Sequence, residues 1–370
     1  MSEALPPGST IGILGGGQLG RMLALAAARL GLKSHIYSDE PNVPAFDVAA
    51  YATVGSFEDE AALSAFAASV DVVTCEFENV PARALETAGK KAPVHPPAKA
   101  FAVAQDRLVE KDFMRGLGIP VADYADVHDE RSLRKALAHV QLPGILKTRR
   151  FGYDGKGQAL VRSEKEALAA LKELDGRPAV IERLVAFERE ISVIIVRAQD
   201  GAMKFYDPVE NVHHNGILAI SRVPARIHDD CAEEARMIAG KVAEALGHVG
   251  VLCVEMFQRG GEVPRDEVPR DEGPRLLVNE IAPRVHNSGH WTIDACLVSQ
   301  FENHIRAIAG WPLGDTSRHS DAVMTNLIGA DVERWRELAG EALAVHLYGK
   351  AEARAGRKMG HTTRLLPKSS

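Results

Sequence analysis

The strongest constraint on the fold lies near the start of the sequence. An apolar run that reads as a strand, Thr10–Leu14, passes directly into Gly15-Gly16-Gly17-Gln18-Leu19-Gly20 and then into an Ala/Leu-rich helix over 18–30, closed by Gly31. A second strand at 34–37, a helix at 59–68 and a third apolar strand at 70–75 continue the alternation. Strand and helix periods alternating in this way predict a parallel, doubly wound sheet. Such sheets bind ligands beyond the carboxyl ends of their strands, which here marks Ser38-Asp39 and the segment 76–79. The glycine loop fits three readings. Its GxGxxG spacing suits a dinucleotide on a helix N-terminus with Asp39 against a ribose, which would make the chain an NAD-dependent oxidoreductase. It also suits a bare strand-to-helix turn, or, with Gln18 and Arg21 beside it, a small phosphorylated substrate.

A chain of 370 residues is long enough for two or three cores. We place the first boundary just before a helix at 106–117 that ends at Gly118. A helix (Glu130–Val140), a strand at 144–147, a glycine-rich loop at 149–157 and a helix at 164–174 form a small α/β unit. From Ala179 the pattern turns β-rich, with paired strands at 191–197 and 203–206. A long helix (Asp229–Leu246) and strands at 250–258 and 275–281 follow, then a helix over 292–309. The last part holds short strands, one helix and a basic segment at 350–361. The expected units are a Rossmann-like domain at 1–104, a lobe with the glycine flap at 105–182, a lobe with a carboxylate site at 183–310 and a β-rich domain at 311–370. Between the strands at 250–258 and 275–281 the sequence Val-Pro-Arg-Asp-Glu occurs twice in tandem, at 263–267 and 268–272. It reads as the tip of a hairpin in solvent.

Composition narrows the functions. A net charge of −6 argues against a nucleic-acid binder, while leaving room for a local basic pocket. The start carries no basic and apolar signal-peptide pattern, and no run of 18 apolar residues could span a bilayer, so no membrane association is expected. Cys75, Cys231, Cys253 and Cys296 are far apart and suit reduced, buried thiols in a cytoplasmic protein.

The segment Phe151-Gly152-Tyr153-Asp154-Gly155-Lys156-Gly157-Gln158 follows a strand that ends in Lys147. Backbone N–H groups of such a loop can cover phosphate oxygens, and a strand lysine beside it is a nucleoside-triphosphate arrangement distinct from a Walker A loop. The plain alternative is a β-hairpin with a solvated lysine. Glu182 and Glu190 flank a crossover and could hold an adenine amino group and ribose hydroxyls. Val254-Glu255-Met256 and Asn279-Glu280-Ile281 put one carboxylate in each of two apolar, antiparallel strands. We expect each to share the apolar layer of its neighbours and the two together to form a hard-oxygen site for Mg²⁺ and phosphates, or else structural salt bridges. Arg284, His286, Asn287 and His290 crowd the loop that follows; a guanidinium and an amide there suit a small planar oxyanion. His213-His214 precede an Asn-Gly turn, and adjacent histidines on an extended segment point apart. The basic tail residues suit a substrate phosphate or a solvated face.

These pieces, in this order, resemble the ATP-grasp superfamily and, within it, the 5-(carboxyamino)imidazole ribonucleotide synthetases. The marks are Gly15-Gly-Gly-Gln-Leu-Gly-Arg21, Glu76-Phe-Glu-Asn-Val80, Gln105-Asp-Arg107, Gly152-Tyr-Asp-Gly-Lys-Gly-Gln158, the run Asn279-Glu-Ile-Ala-Pro-Arg-Val-His-Asn-Ser-Gly-His-Trp291 and Tyr348-Gly-Lys350. The resemblance covers nearly the whole chain, and the run ending at Trp291 is the most discriminating. It implies a pre-ATP-grasp domain, two α+β lobes that sandwich ATP, and a small carboxy-terminal β-rich domain. It implies that Arg107, Lys147, Gly152, Tyr153, Asp154, Gly155, Lys156, Gly157 and Gln158 meet the ATP phosphates. Glu182, Arg183, Leu184 and Val185 would meet adenine, with Glu190, His213 and Asn279 as further nucleotide contacts. Glu255 and Glu280 would hold Mg²⁺; Arg284, His286 and Asn287 would bind bicarbonate. Gln18, Glu76, Tyr153, Asp154, Lys350, Arg357 and Lys358 would contact an aminoimidazole ribonucleotide, with Asp154, Lys350 and His290 as candidate groups for the chemistry. The implied reaction is ATP-driven carboxylation of that ribonucleotide through carboxyphosphate, by a cytoplasmic homodimer. Rivals are a glycinamide ribonucleotide or biotin carboxylase-like ATP-grasp ligase and, more distantly, the oxidoreductase.

Overall fold

The computed structural model describes residues 3–152, 157–260 and 275–369. The tandem Val-Pro-Arg-Asp-Glu segment and the loop residues Tyr153, Asp154, Gly155 and Lys156 lie outside the described residues.

Strands β1 (Thr10–Leu14), β2 (Lys33–Ser38), β3 (Tyr51–Val54) and β4 (Val72–Cys75) form a parallel sheet in the order β3-β2-β1-β4. The period of two sorts its side chains. Ile11, Ile13 and Ile36 join the core with Leu23 and Ala27 of α1 (Gln18–Arg29), whereas Leu14, Tyr37 and Cys75 join Phe66 of α2 (Glu60–Ala67) and Leu85 of α3 (Ala82–Ala88). Strand β3 was not expected. It is an edge strand with largely exposed side chains, so it carries no apolar run. Helix α4 (Ala98–Ala104) leads into α5 (Arg107–Gly116), which Asp106 caps by accepting from the N–H groups of Leu108 and Val109.

A second, antiparallel sheet holds β5 (Tyr124–Val127), β6 (Gly144–Thr148), β7 (Gln158–Val161) and β8 (Ala179–Arg183) in the order β5-β8-β6-β7. Helices α6 (Glu130–Val140) and α7 (Glu164–Glu173) share its core.

The third sheet has nine strands: β9 (Arg189–Arg197), β10 (Met203–Phe205), β11 (Val209–His214), β12 (Ile217–Val223), β13 (Gly250–Gln258), β14 (Leu276–Ala282), β15 (Asp321–Ile328), β16 (Ala344–Leu347) and β17 (Lys358–Leu366). The order is β14-β13-β9-β11-β12-β15-β17-β16, with β10 beside β9, so the carboxy-terminal strands extend this sheet through the β12–β15 pair. Asn215 and Gly216, both at positive φ, close the β11–β12 hairpin as the Asn-Gly pair predicts. Val254, Met256 and Ile281 pack with α8 (Asp229–Leu246). This corrects one expectation: Glu255 does not share the apolar layer of Val254 and Met256, because strand alternation turns it to the opposite face.

The helix expected over 292–309 is broken. A short α9 (Thr292–Ala295) ends where Cys296 turns extended, and α10 (Gln300–Ile308) starts afresh with Ser299 accepting from the Glu302 N–H. Ser299 and Glu302 have the spacing of a capping box, a signal that the continuous helical period masked. The break lets Gln300 fold back: its Oε1 accepts from the His286 N–H at 3.0 Å and its Nε2 donates to the His286 carbonyl at 2.6 Å.

A buried histidine ties the first sheet to the third. The Val251 N–H donates to His304 Nδ1 at 3.0 Å, so the ring proton sits on Nε2 and donates to Thr74 Oγ1 at 2.8 Å. Thr74→Val keeps the shape and leaves that N–H buried without a partner. It should cost about 1–3 kcal/mol in urea unfolding; unchanged stability would show that the link between the sheets carries no energy.

Candidate functional site

The register of β13 against β14 places Glu255 directly opposite Glu280. Side chains so paired on one face of a sheet lie about 5 Å apart at Cβ, and like charges there repel. A guanidinium and an imidazole answer them. Arg107 Nη1, at the start of α5, lies 3.1 Å from Glu280 Oε2, and His286 Nε2 lies 2.9 Å from Glu255 Oε1. Glu255 is only 9 % exposed. Burial alone would raise its pKa, but the His286 contact, with His213 and Lys358 behind it, holds the carboxyl below the ordinary carboxylate range. Asn279 Oδ1, in the residue before Glu280, is buried with no partner among the described residues. The two facing carboxylates offer oxygen donors that fit a hard divalent cation such as Mg²⁺.

A second charged cluster lies under β6 and β8. Glu182 Oε2 is 3.0 Å from Lys147 Nζ and 3.1 Å from Lys111 Nζ, all three buried. Burial would raise the Glu182 pKa, yet Lys111 and Lys147 bring it down to about 2. The Lys147 ammonium is pushed below its usual range by burial, an effect that Glu182 partly offsets. Glu182 Oε1 has no partner among the described residues. At the end of β8, the N–H groups of Arg183 and Leu184 are committed to the carbonyls of Asp123 and Pro143 at 2.8 and 3.0 Å, and no backbone partner is found for the Val185 N–H among the described residues. Glu190 Oε2 lies 2.9 Å from His213 Nδ1 and raises that imidazole's pKa against the pull of burial. Gln158 pairs with Lys147 across β6–β7, and Gly157, at φ +71°, accepts from the Thr148 N–H at 2.8 Å. The Gly152 carbonyl accepts from Arg107 at 3.3 Å.

One cleft, about 1120 Å³ counted out to open solvent, joins these parts. Its lining includes Gln18, Arg107, Gly152, His213, Glu255 and Glu280, and also Arg284, His286, Asn287 and Lys358. Arg284 is ion-paired with Glu78 and donates to the Val285 carbonyl at 2.9 Å. His290 does not reach the cleft. It is 1 % exposed, among Phe301, Tyr348 and His361, and burial lowers its pKa well below the usual range. That position removes it as a group that could handle a proton in the cleft.

The glycine loop resolves against a dinucleotide. Glu76, at the end of β4, is 5 % exposed and accepts from the Gly17 N–H at 2.6 Å. A Cβ on Gly15, Gly17 or Gly20 would lie 2.7, 2.9 or 3.2 Å from the Glu76 side chain. The glycines make room for a carboxylate where a pyrophosphate would have to sit. Burial raises the Glu76 pKa, with the Gly17 N–H pulling the other way.

The carboxy-terminal turn lies against Arg21 and Asp47. Gly349 sits so that a Cβ there would be 3.8 Å from Arg21 Nη1 and 3.6 Å from Asp47 Oδ2. Lys350 Nζ donates to the Lys358 carbonyl at 2.7 Å, and Arg357 donates to the Glu352 carbonyl at 3.2 Å. Of Lys350, Arg357 and Lys358, Lys358 lines the cleft.

Several residues of the site escaped the sequence reading. Glu110 lines the cleft, accepts from the Ile281 N–H at 2.7 Å, and is pushed up to about 8 by burial and by Glu280. Lys111 meets Glu182, Glu78 meets Arg284, and Arg149 makes a two-pronged pair with Asp106 at 3.0 and 2.8 Å that fixes the start of α5. A signal existed: Arg107, Glu110 and Lys111 are three and four residues apart and so share one helix face.

Family models match three successive stretches of the chain. Residues 9–105 match a model of the ribonucleotide synthetase pre-ATP-grasp domain, 112–301 the ATP-grasp domain and 322–369 the phosphoribosylaminoimidazole carboxylase C-terminal domain. The N5-carboxyaminoimidazole ribonucleotide synthase of Brucella melitensis is 51% identical over 369 residues, 99% of each chain. The crystal structure of N5-carboxyaminoimidazole ribonucleotide synthetase from Thermus thermophilus superposes with a TM-score of 0.87 at 47% identity, covering 97% of this chain and 93% of that one. The Aspergillus clavatus N5-carboxyaminoimidazole synthase, solved with ADP and 5-aminoimidazole ribonucleotide, gives a TM-score of 0.87 at 32% identity over 98% of this chain and 94% of that one.

The Glu182 cluster makes an acid-stability prediction. A carboxyl group whose pKa is depressed on folding stabilises the protein above its unfolded value near 4.5, and that contribution is lost as pH falls toward 2. Lys147→Met removes one of its two cations, so the acid limb of the urea-midpoint profile should move to higher pH. An unmoved limb would mean that Lys147 does not hold the Glu182 charge.

Proposed function

The chain belongs to the N5-carboxyaminoimidazole ribonucleotide synthase family of ATP-grasp ligases, and from that premise we propose how its cleft performs the reaction. The protein carboxylates 5-aminoimidazole ribonucleotide to N5-carboxyaminoimidazole ribonucleotide at the expense of ATP, a step of purine biosynthesis.

In our reading ATP enters between the second and third sheets. Val185 offers its N–H to adenine, Glu190 and His213 meet the ribose, and Arg107, Lys111 and Lys147 face the phosphates, to which family likeness also assigns the loop 152–158. The support is electrostatic: three cations converge where Glu182 and Glu280 now neutralise them, and a polyphosphate can take that place. Glu255, Glu280 and Asn279 would hold a Mg²⁺ ion, which supplies charge neutralisation on the transferring phosphoryl group. Bicarbonate lies between Arg284, His286 and Asn287, where a guanidinium, a ring N–H and an amide offer donors to a planar oxyanion.

Bicarbonate is a poor electrophile. Attack of one of its oxygens on the γ-phosphorus breaks the bond to the β–γ bridging oxygen, releases ADP and forms carboxyphosphate. The exocyclic amine of the aminoimidazole then attacks the carboxyl carbon, phosphate leaves with the bridging oxygen, and the amine loses a proton. The enclosing walls of the cleft matter because water would hydrolyse the mixed anhydride. Gln18, Glu76, Lys350, Arg357 and Lys358 gather near the glycine loop and carboxy-terminal turn, and we assign them to the ribonucleotide and its phosphate. Tyr153 and Asp154 belong to the same assignment by family likeness. A cytoplasmic homodimer completes the reading; the four free, buried cysteines suit a reducing compartment, and the dimer rests on the family likeness alone.

The observation that carries this proposal is the facing pair Glu255 and Glu280 with Arg107 and His286 on either side. Glu280→Gln should lower kcat by at least about 100-fold, the upper scale of removing a charged group that acts on the transition state, while unfolding at the wild-type midpoint. Phosphate release from Mg-ATP and bicarbonate should depend on the aminoimidazole ribonucleotide. Release with another acceptor, or wild-type turnover in the variant, would contradict it.

A further inference from the structure

A chain of buried polar side chains runs across the third sheet behind the cleft. Ser221 Oγ on β12 donates to Asn211 Oδ1 on β11 at 2.8 Å, and Asn211 Nδ2 donates to Ser192 Oγ on β9 at 2.9 Å. Ser192 Oγ is 2.7 Å from Ser288 Oγ, and Ser288 Oγ is 2.9 Å from His286 Nδ1. Ser192, Ser221 and Ser288 are wholly buried and Asn211 is 5 % exposed. Polar groups in a sheet core cost free energy unless each finds a partner, and four apolar residues would pack there without that demand. The chain does not wander. Register places Ser192 directly across from Glu255, which itself faces Glu280, so the chain passes the paired carboxylates at Ser192 and meets Glu255 again through His286.

Its direction is fixed at both ends. With Asn211 Oδ1 accepting from Ser221, the amide nitrogen must donate to Ser192. The Ser192 hydrogen is then available to Ser288 Oγ, and the Ser288 hydrogen to His286 Nδ1. The Ser288 N–H, which can only donate, also points at Nδ1 at 3.3 Å. Nδ1 is therefore the acceptor and Nε2 carries the proton, 2.9 Å from Glu255 Oε1. Gln300 clamps the His286 peptide on both its N–H and its carbonyl, so the ring cannot turn away as a unit with its backbone.

We propose that Ser221, Asn211, Ser192 and Ser288 form a positioning relay that keeps the His286 proton on Nε2, making the ring a fixed donor toward Glu255 and toward an anion in the cleft. His286 then steadies the carboxylate and the bicarbonate-derived anion and does not act as a base. The four relay residues touch no substrate; they act through the imidazole, as outer partners of a metal-site histidine do. The inference rests on the reading of His286 as a cleft residue of the carboxylation site.

The test is ¹⁵N NMR of histidine-labelled full-length protein with Mg-ADP, with His286 assigned by its loss in His286→Asn. The wild type should show a bare Nδ1 and a protonated Nε2. In Ser288→Ala, where only the backbone N–H at 3.3 Å still faces Nδ1, the Nε2–H tautomer should lose part of its excess, with kcat down about tenfold, the usual scale for an outer partner, and KM for ATP unchanged. Asn211→Asp, which keeps the shape and reverses the donor, should move the proton toward Nδ1. A protonated Nδ1 in the wild type, or wild-type tautomer and kcat in both relay variants, overturns the relay. The expected tautomers with turnover that ignores the aminoimidazole ribonucleotide would support the relay and count against the substrate reading instead.

Discussion

Two carboxylates set opposite each other on neighbouring strands are an electrostatic liability, and much of the site is built to answer it. Glu255 and Glu280 face one another across β13 and β14. Arg107 reaches one from the first turn of α5 and His286 reaches the other from the loop after β14. Arg107 is in turn placed by the Asp106–Arg149 pair, and His286 by Gln300 and the serine chain. A short distance away the same logic repeats with Glu182 between Lys111 and Lys147. Free of ligand, the protein balances its own charges; with a nucleotide polyphosphate and a divalent ion present, cations and carboxylates both acquire external partners.

That exchange explains why the cleft sits where three sheets meet. The first sheet contributes the segment after β4, where Glu76 plugs the glycine loop and Glu78 holds Arg284. The second contributes Lys147, Arg149 and Gly152, and the third the carboxylates. The His304 link between Thr74 and Val251 fixes the first sheet against the third. Loss of that registration would move Glu78 and Arg284 relative to Glu255 and Glu280, so a contact far from the chemistry bears on the geometry of the anion pocket.

Much of this was legible in the sequence because it is written in short-range patterns. Strands β1, β6 and β13 and helices α6 and α8 follow from apolar period and caps, and the carboxylates stand out because charge interrupts apolar strands. What was hidden depends on partners distant in sequence. The Glu76 plug is invisible until Gly17 and Glu76, 59 residues apart, are brought together. Lys111 and Glu110 look like surface helix charges until β8 and β14 arrive beside them. The break between α9 and α10 obeys a local cap that the wider helical period outvoted. The face of Glu255 was misjudged because its sequence neighbours belong, by strand alternation, to the other side of the sheet.

The central claim is that this cleft activates bicarbonate by phosphorylation before the amine attacks, and oxygen transfer measures that most directly. With bicarbonate labelled throughout with ¹⁸O, Mg-ATP and aminoimidazole ribonucleotide, mass analysis of the released phosphate should find one ¹⁸O per turnover, carried by the bridging oxygen of carboxyphosphate. Phosphate free of label in a reaction that still yields the carboxylated product would mean that ATP is cleaved by water and that bicarbonate is never phosphorylated here.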